Sequence, residues 1–265
     1  MTLSVVPIIN LPSLYVNLIS VTNNATTPNT KIDVGYGICR DQTNTFDLNI
    51  GNYNDAIAAL SANTTTTIDA ATNGINGLDT GTLAASRVYA VYVVADIQGA
   101  NTTGAVVSRA APSVGPTMPV GYSAYRLVGY MVTDASAHFL PMYTAGTGSN
   151  RLAMFDAPQA TSITAGNATS YTAIDLSTLV PAVDNLPVYI NSAFTPGAAS
   201  RVLNLQSSGA TGDQIVITGQ VNAVVNSNQS MIVAKLVSSA PKVSYKVSNA
   251  GDAAAINVAG FAYYL

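Results

Sequence analysis

His138 is the only histidine and Cys39 the only cysteine among 265 residues, so any imidazole base or thiolate nucleophile must be one of these two. A Ser-His-Asp arrangement would have to use His138. It stands in Asp134-Ala-Ser-Ala-His-Phe-Leu-Pro141, where a hairpin turn feeds an apolar strand, and a packed or surface strand histidine is the ordinary reading of such a place. Cys39, in Gly35-Tyr-Gly-Ile-Cys-Arg40, lies on a strand-like stretch with only Arg40 to favour a thiolate, so a buried, inert thiol is expected. One histidine and one cysteine cannot supply the three or four ligands of a His/Cys zinc centre within one chain.

All 13 acidic residues are aspartates. Two of them could serve as the carboxylate pair of a glycoside hydrolase, but spacing singles out no pair, and turn and cap roles are expected instead. The Asn73-Gly-Ile-Asn-Gly-Leu-Asp-Thr-Gly81 loop carries oxygens that can hold calcium, yet it lacks EF-hand spacing and reads as a turn-rich loop. Gly74-Ile-Asn-Gly77 and Gly146-Thr-Gly148 lack the glycine spacing and the following helix of a phosphate-binding loop. The expectation is a non-enzymatic chain with no catalytic, cofactor or metal site.

Composition narrows the partners. The net charge is −3 and the 10 cations are scattered singly from Lys31 to Lys246, so no basic stripe exists to displace counterions from a phosphate backbone, and no nucleic-acid partner is expected. The opening Met1–Pro12 segment lacks a basic n-region and is interrupted by Pro7 and Pro12, and no long apolar run follows. A chain made in a cytoplasm, without signal peptide, membrane span or membrane partner, is expected.

The elements that would position these residues are strands. Hydrophobic residues make up 48% and charged residues 9%, and with no glutamate and only Lys31, Lys235, Lys242 and Lys246 as lysines the chain lacks the pairs that support exposed helices. In Lys242-Val-Ser-Tyr-Lys-Val-Ser248, Val243, Tyr245 and Val247 share one face, which predicts a half-buried antiparallel strand. Val88–Ala95 and Tyr125–Val132 are apolar on both faces, as central strands would be. Further strands are expected near 3–9, 13–21, 32–40, 44–50, 64–69, 104–109, 137–143 and 151–156, and in the second half near 171–176, 186–191, 200–206, 214–221, 230–238 and 254–264. Asp55–Leu60 and Ser177–Val180 are long enough for only a turn or two of helix.

These segments predict an all-β fold: two antiparallel β-sandwich or jelly-roll-like domains with an extended N-terminal segment. The division expected is an arm over 1–30, a β domain over 31–157, a linker over 158–168 and a sandwich over 169–265. The strand at 254–264 has apolar residues on both faces yet stands at the terminus, where a one-faced edge strand would be commoner. It therefore predicts a partner subunit.

Several stretches carry a resemblance. Asn76-Gly-Leu-Asp-Thr-Gly-Thr-Leu-Ala-Ala85 is followed by Tyr89-Ala-Val-Tyr-Val-Val, Met118-Pro-Val-Gly-Tyr122, Tyr125-Arg-Leu-Val-Gly129 and Phe139-Leu-Pro141. Downstream come Phe155-Asp-Ala-Pro158, Thr172–Pro181 and Ala240–Asn249. In this order they resemble structural proteins of tailed-bacteriophage virions, of the tail fibre, spike or head decoration type. The resemblance implies a non-catalytic protein on the particle exterior, a homotrimer, with capsid or tail proteins as partners and a host surface glycan as a further candidate. It brings no catalytic residues. Two other classes stand beside it: a carbohydrate-binding, lectin-like receptor-recognition module, although tryptophan is absent, and a capsule-degrading hydrolase, for which no carboxylate pair is found.

Overall fold

The computed structural model describes residues 13–51, 64–146, 148, 150–212, 214–219 and 224–264. Among these residues the chain is all-β, without a helix. It divides into two compact units, residues 1–153 with 263–265, and residues 154–262.

The first unit holds β1 (Val16–Asn17), β2 (Val21–Asn23), β3 (Lys31–Val34), β4 (Gly37–Arg40), β5 (Asp47–Ile50), β6 (Thr66–Asp69), β7 (Val88–Ala95), β8 (Gly104–Ser108), β9 (Ala124–Val132) and β10 (Met142–Ala145). β7 lies between β8 and β9, antiparallel to both. This sheet is buried on both faces, as its two-faced apolar sequence predicts. β5 packs against β7, and β6, β2 and β10 pack against β8 and β9. The approach is close: a Cβ on Gly129 would lie 2.7 Å from Val21 Cγ2.

Several boundaries differ from the sequence reading. The stretch 13–21 is two short strands, because Leu14 and Leu18 take positive φ of 63° and 62°. Likewise 32–40 splits into β3 and β4, where Gly35 and Gly37 let the backbone pass so near Ser20 and Asn17 that no Cβ would fit. Residues 13–30, expected in an extended arm, carry β1 and β2, which pair with β4 and β3 in this unit. Residues 1–12 and the short helical stretch at 55–60 lie outside the described residues. Ser177–Val180 closes a single turn, with Leu179 and Val180 both donating to Leu176 O.

The second unit adds β11 (Asn150–Ala160), β12 (Thr172–Asp175), β13 (Leu186–Thr195), β14 (Val202–Ser207), β15 (Ile215–Thr218), β16 (Val225–Val237), β17 (Ala240–Val247) and β18 (Ala253–Tyr264); the division between units falls within β11 and within β18. Its strands pair in the order β15-β14-β17-β16-β13-β18-β11, with β12 on β17; β16 pairs β13 through Ala234 and β17 from Lys235 onward, so the ladder turns there into two halves, β11-β18-β13-β16 and β12-β17-β14-β15. Numbered one to eight along the chain, these read 1-8-3-6 and 2-7-4-5, the order of an eight-stranded jelly roll. Side-chain alternation builds the core between the sheets. Val188, Ile190, Phe194, Ile256 and Val258 come from one sheet, and Leu203, Leu205, Val243, Tyr245 and Val247 from the other, all buried.

Two expectations about this half are corrected. Residues 158–160 of the expected linker continue β11, and 161–166 are bound to β18 through Thr161 N–Ile256 O, Ile256 N–Ile163 O and the reciprocal Gly166–Ala254 pair. Backbone pairing here overrides a composition that reads as linker. β18, whose apolar residues on both faces at the terminus predicted a partner subunit, is an inner strand between β11 and β13 with Ile256, Val258, Ala259 and Phe261 buried. The chain itself buries its apolar residues, so β18 gives no reason to invoke a second subunit.

Candidate functional site

His138 and Asp134 meet in the turn after β9. Asp134 Oδ1 accepts the backbone N–H of Ser136 and of His138, each at 2.8 Å, and these bonds, that from His138 first, hold its carboxyl below the usual range. The imidazole Nδ1 lies 3.9 Å from Asp134 Oδ2 with both side chains well exposed. This is a turn clasp on a hairpin. Cys39 is enclosed on β4, and burial pushes its thiol up to about 12 despite the opposing charges of Arg126 and Arg151. It carries no thiolate at neutral pH.

The aspartates are committed in the same manner. Asp41 accepts from Thr43 N, Thr45 N, Phe46 N and the Thr43 hydroxyl. Asp96 takes Gln98 N, Ala100 N and Asn101 N. In the second unit Asp252 gathers Gly197 N, Arg201 Nη1, the Ser248 hydroxyl and Asn249 N. These carboxylates shape turns. Among the described residues no three His, Cys, Asp or Glu side chains gather as a metal site.

The Asn73–Gly81 loop also spends its oxygens on the chain. Asn76, at φ 57°, donates its N–H to Ala105 O and accepts Ala105 N on its side-chain oxygen. Asp79 N donates to Val107 O and Val107 N to Gly77 O, so the loop runs beside β8 and occupies its outer edge. Asp79 Oδ2 accepts Thr117 N, which ties in the proline-rich segment. The other motif residues pack around the same sheet: Tyr89 OH accepts Ala84 N, Phe139 meets the Tyr89 ring edge-on, and Tyr122 OH donates to Thr102 O. Their roles are to cover an edge and fasten loops.

Sequence reading did not find the buried arginines. Arg126 donates from Nε to Arg40 O at 2.7 Å and from Nη2 to Asn44 Oδ1; Arg40 pairs with Asp47 at 3.0 Å. Arg151 is the largest fully buried side chain and donates to Gly146 O and Ile19 O. A lone charge inside the apolar run 125–132 is the signal that marks Arg126. Nothing in the sequence marks Arg151.

The outward face of the β12-β17-β14-β15 sheet is the second feature that was missed. Asn204 and Gln206 alternate with the inward Leu203 and Leu205, and in register Gln206 faces Ser244 while Asn204 lies between Lys246 and Val216. Both amides are only 5% exposed, and neither Asn204 Oδ1 nor Gln206 Oε1 has a hydrogen-bond partner among the described residues. Ser208 and Ser244 share a hydroxyl bond of 2.8 Å, and Lys246 Nζ lies 4.4 Å from the centre of the Tyr171 ring.

No family model, curated protein or solved structure matches the chain.

Proposed function

We propose that this chain is a non-catalytic structural protein of a bacteriophage virion, carried on the particle exterior as a fibre, spike or head decoration. The observation that carries the reading is the strand order of the second unit, a jelly roll of the kind used by viral capsid and lectin domains. The motif order of the first unit points the same way. The enclosure of Cys39 and the commitment of the aspartates described above to turns add support.

The proposed working unit is a homotrimer bound to capsid or tail proteins. The motif resemblance supports the threefold state, and the weakly charged composition supports burial of apolar surface between subunits. Mass spectrometry of washed particles is the test: the chain is expected among the virion proteins, and its presence only in infected-cell lysate rejects the reading. Light scattering gives the oligomeric state, and a monomer at micromolar concentration in all salts rejects the trimer.

A second reading, glycan recognition, is favoured by one observation, the pair of unpartnered amide oxygens on the outer face of the jelly roll. A capsule-degrading hydrolase is the weakest of the three. Polysaccharide cleavage lost on a single Asp→Asn change would displace the non-catalytic reading.

A further inference from the structure

We propose that the outward face of the β12-β17-β14-β15 sheet is a binding site for an uncharged, hydroxyl-rich glycan, with Asn204 and Gln206 as its central hydrogen-bond acceptors. This assigns residues to the glycan reading above and does not depend on the virion reading.

A buried amide oxygen without a donor costs free energy, and most such atoms in native proteins find one. Here two of them stand two residues apart on one face of one strand, Asn204 Oδ1 and Gln206 Oε1. Alternate residues along a strand are spaced by about 7 Å, a span comparable to that of the hydroxyls around one pyranose ring. Sugar hydroxyls are donors that can complete both oxygens, and they can also exchange with the Ser208–Ser244 hydroxyl pair on the neighbouring row. Both oxygens are closed to solvent, so binding requires the two amides and their register neighbours, Lys246 beside Asn204 and Ser244 beside Gln206, to turn aside. That lysine has a long flexible stem and rests against Tyr171, whose ring then offers an apolar surface for a sugar face.

Charge selects the ligand class. Three of the four lysines, Lys235, Lys242 and Lys246, belong to β16 and β17, and Lys235 stands opposite Lys242. Each of that pair has an acidic neighbour: Asp175 faces Lys242 in register, and Asp184 lies within charge range of Lys235. The face is thus close to balanced, and hydroxyls rather than carboxylates are the groups its unmet acceptors can take.

The test is affinity gel electrophoresis of the full chain through gels containing dextran, laminarin or galactomannan, with alginate as the acidic arm. At least one neutral polymer should retard the protein, and the retardation should persist in about 0.5 M NaCl, because screening acts on charges. The double change Asn204→Leu with Gln206→Leu should weaken binding roughly tenfold or more, the loss of one or two hydrogen bonds. Its melting temperature should hold or rise, because neither oxygen is partnered in the free chain. If that variant melts lower, Tyr171→Ala decides: lost retardation upholds the site and kept retardation overturns it. The proposal is also overturned if no neutral polymer retards the chain, if the double variant is retarded unchanged, or if only alginate retards it and salt abolishes the effect. Particle mass spectrometry bears on the virion reading alone, so the two can fail separately.

Discussion

The ring of Tyr263 meets that of Tyr130 edge to face, with centroids 4.8 Å apart and planes at 86°, and its hydroxyl donates to Val128 O. Residues near the end of β18 therefore complete the core of the first unit. Both rings are buried, so Tyr263→Ala should cost about 3–5 kcal/mol, the usual penalty for removing a buried aromatic ring. Urea unfolding followed by tyrosine fluorescence measures it. A loss below about 1 kcal/mol would mean that the contact contributes little.

Alkaline pH should weaken the fold. Burial pushes Cys39 from 9.0 up to about 12 and Tyr263 from 10.0 up to about 12; it also raises Tyr92 and Tyr130. A group whose pKa rises on folding gives its full stabilisation below the unfolded value, because only the unfolded chain ionises above it. Stability should therefore hold to about pH 9 and then fall toward pH 12. Cys39→Ala should make the first part of that fall shallower. Urea midpoints between pH 8 and 11 give the comparison, and a flat wild-type profile would contradict it.

How much of this was legible depended on whether a residue's environment is local. Val88–Ala95 announced a doubly covered strand through its composition, and Val243, Tyr245 and Val247 announced their shared face through period two. The break at Leu18 and the close passes at Gly35 and Gly37 come from distant backbone and leave no pattern in the chain. Apolar residues on both faces of β18 predict a cover for each, and the chain itself supplies it, with Ile256, Val258, Ala259 and Phe261 all buried. Cys39 is buried on β4, as an isolated strand cysteine predicts, whereas His138, expected on a strand, stands exposed in the turn after β9. Asn204 and Gln206 passed unnoticed because polar residues on an outward face are ordinary until their burial is known.

Acid should weaken the second unit at Asp252. Burial opposes ionisation of this carboxyl, but bonds from Arg201 and from Gly197 N outweigh it and hold the pKa below 3.8. A depressed pKa stabilises above the unfolded value, and the benefit is lost as pH falls through the folded one. Stability should drop below about pH 4. Asp252→Asn should cost about 2 kcal/mol at neutral pH through the lost charge-assisted bonds. It should also flatten the acid limb of the stability profile, and an unaltered limb would assign acid sensitivity to other groups.

The edge cover of β8 rests on Asn76. Its side chain accepts Ala105 N at 3.0 Å while its backbone sits at φ 57°, a conformation that asparagine tolerates better than most residues. Asn76→Ala removes the acceptor and adds strain, so a loss of about 1–2 kcal/mol is expected. Amide exchange should quicken first at Ala105 and Val107, which the loop shields. Unchanged protection there would show that the loop holds without this side chain.

Arg151 gives the last prediction. The guanidinium is fully buried and reaches Ile19 O and Gly146 O from two different nitrogens, joining the β1–β2 connection to the turn between β10 and β11. Two carbonyls approached from separate directions need a planar fork, which a lysine ammonium on its single stem cannot reproduce. Arg151→Lys should therefore destabilise the fold nearly as much as Arg151→Ala, by about 3 kcal/mol or more, since the buried carbonyls lose their donors and the lysine must bury a compact charge. Arg201→Lys is the internal control. Arg201 is partly exposed and faces a carboxylate, so a lysine there can keep its ion pair and should cost less. Denaturant midpoints of the three variants settle it: if Arg151→Lys is as mild as Arg201→Lys, the fork geometry at Arg151 is not what fastens the two connections.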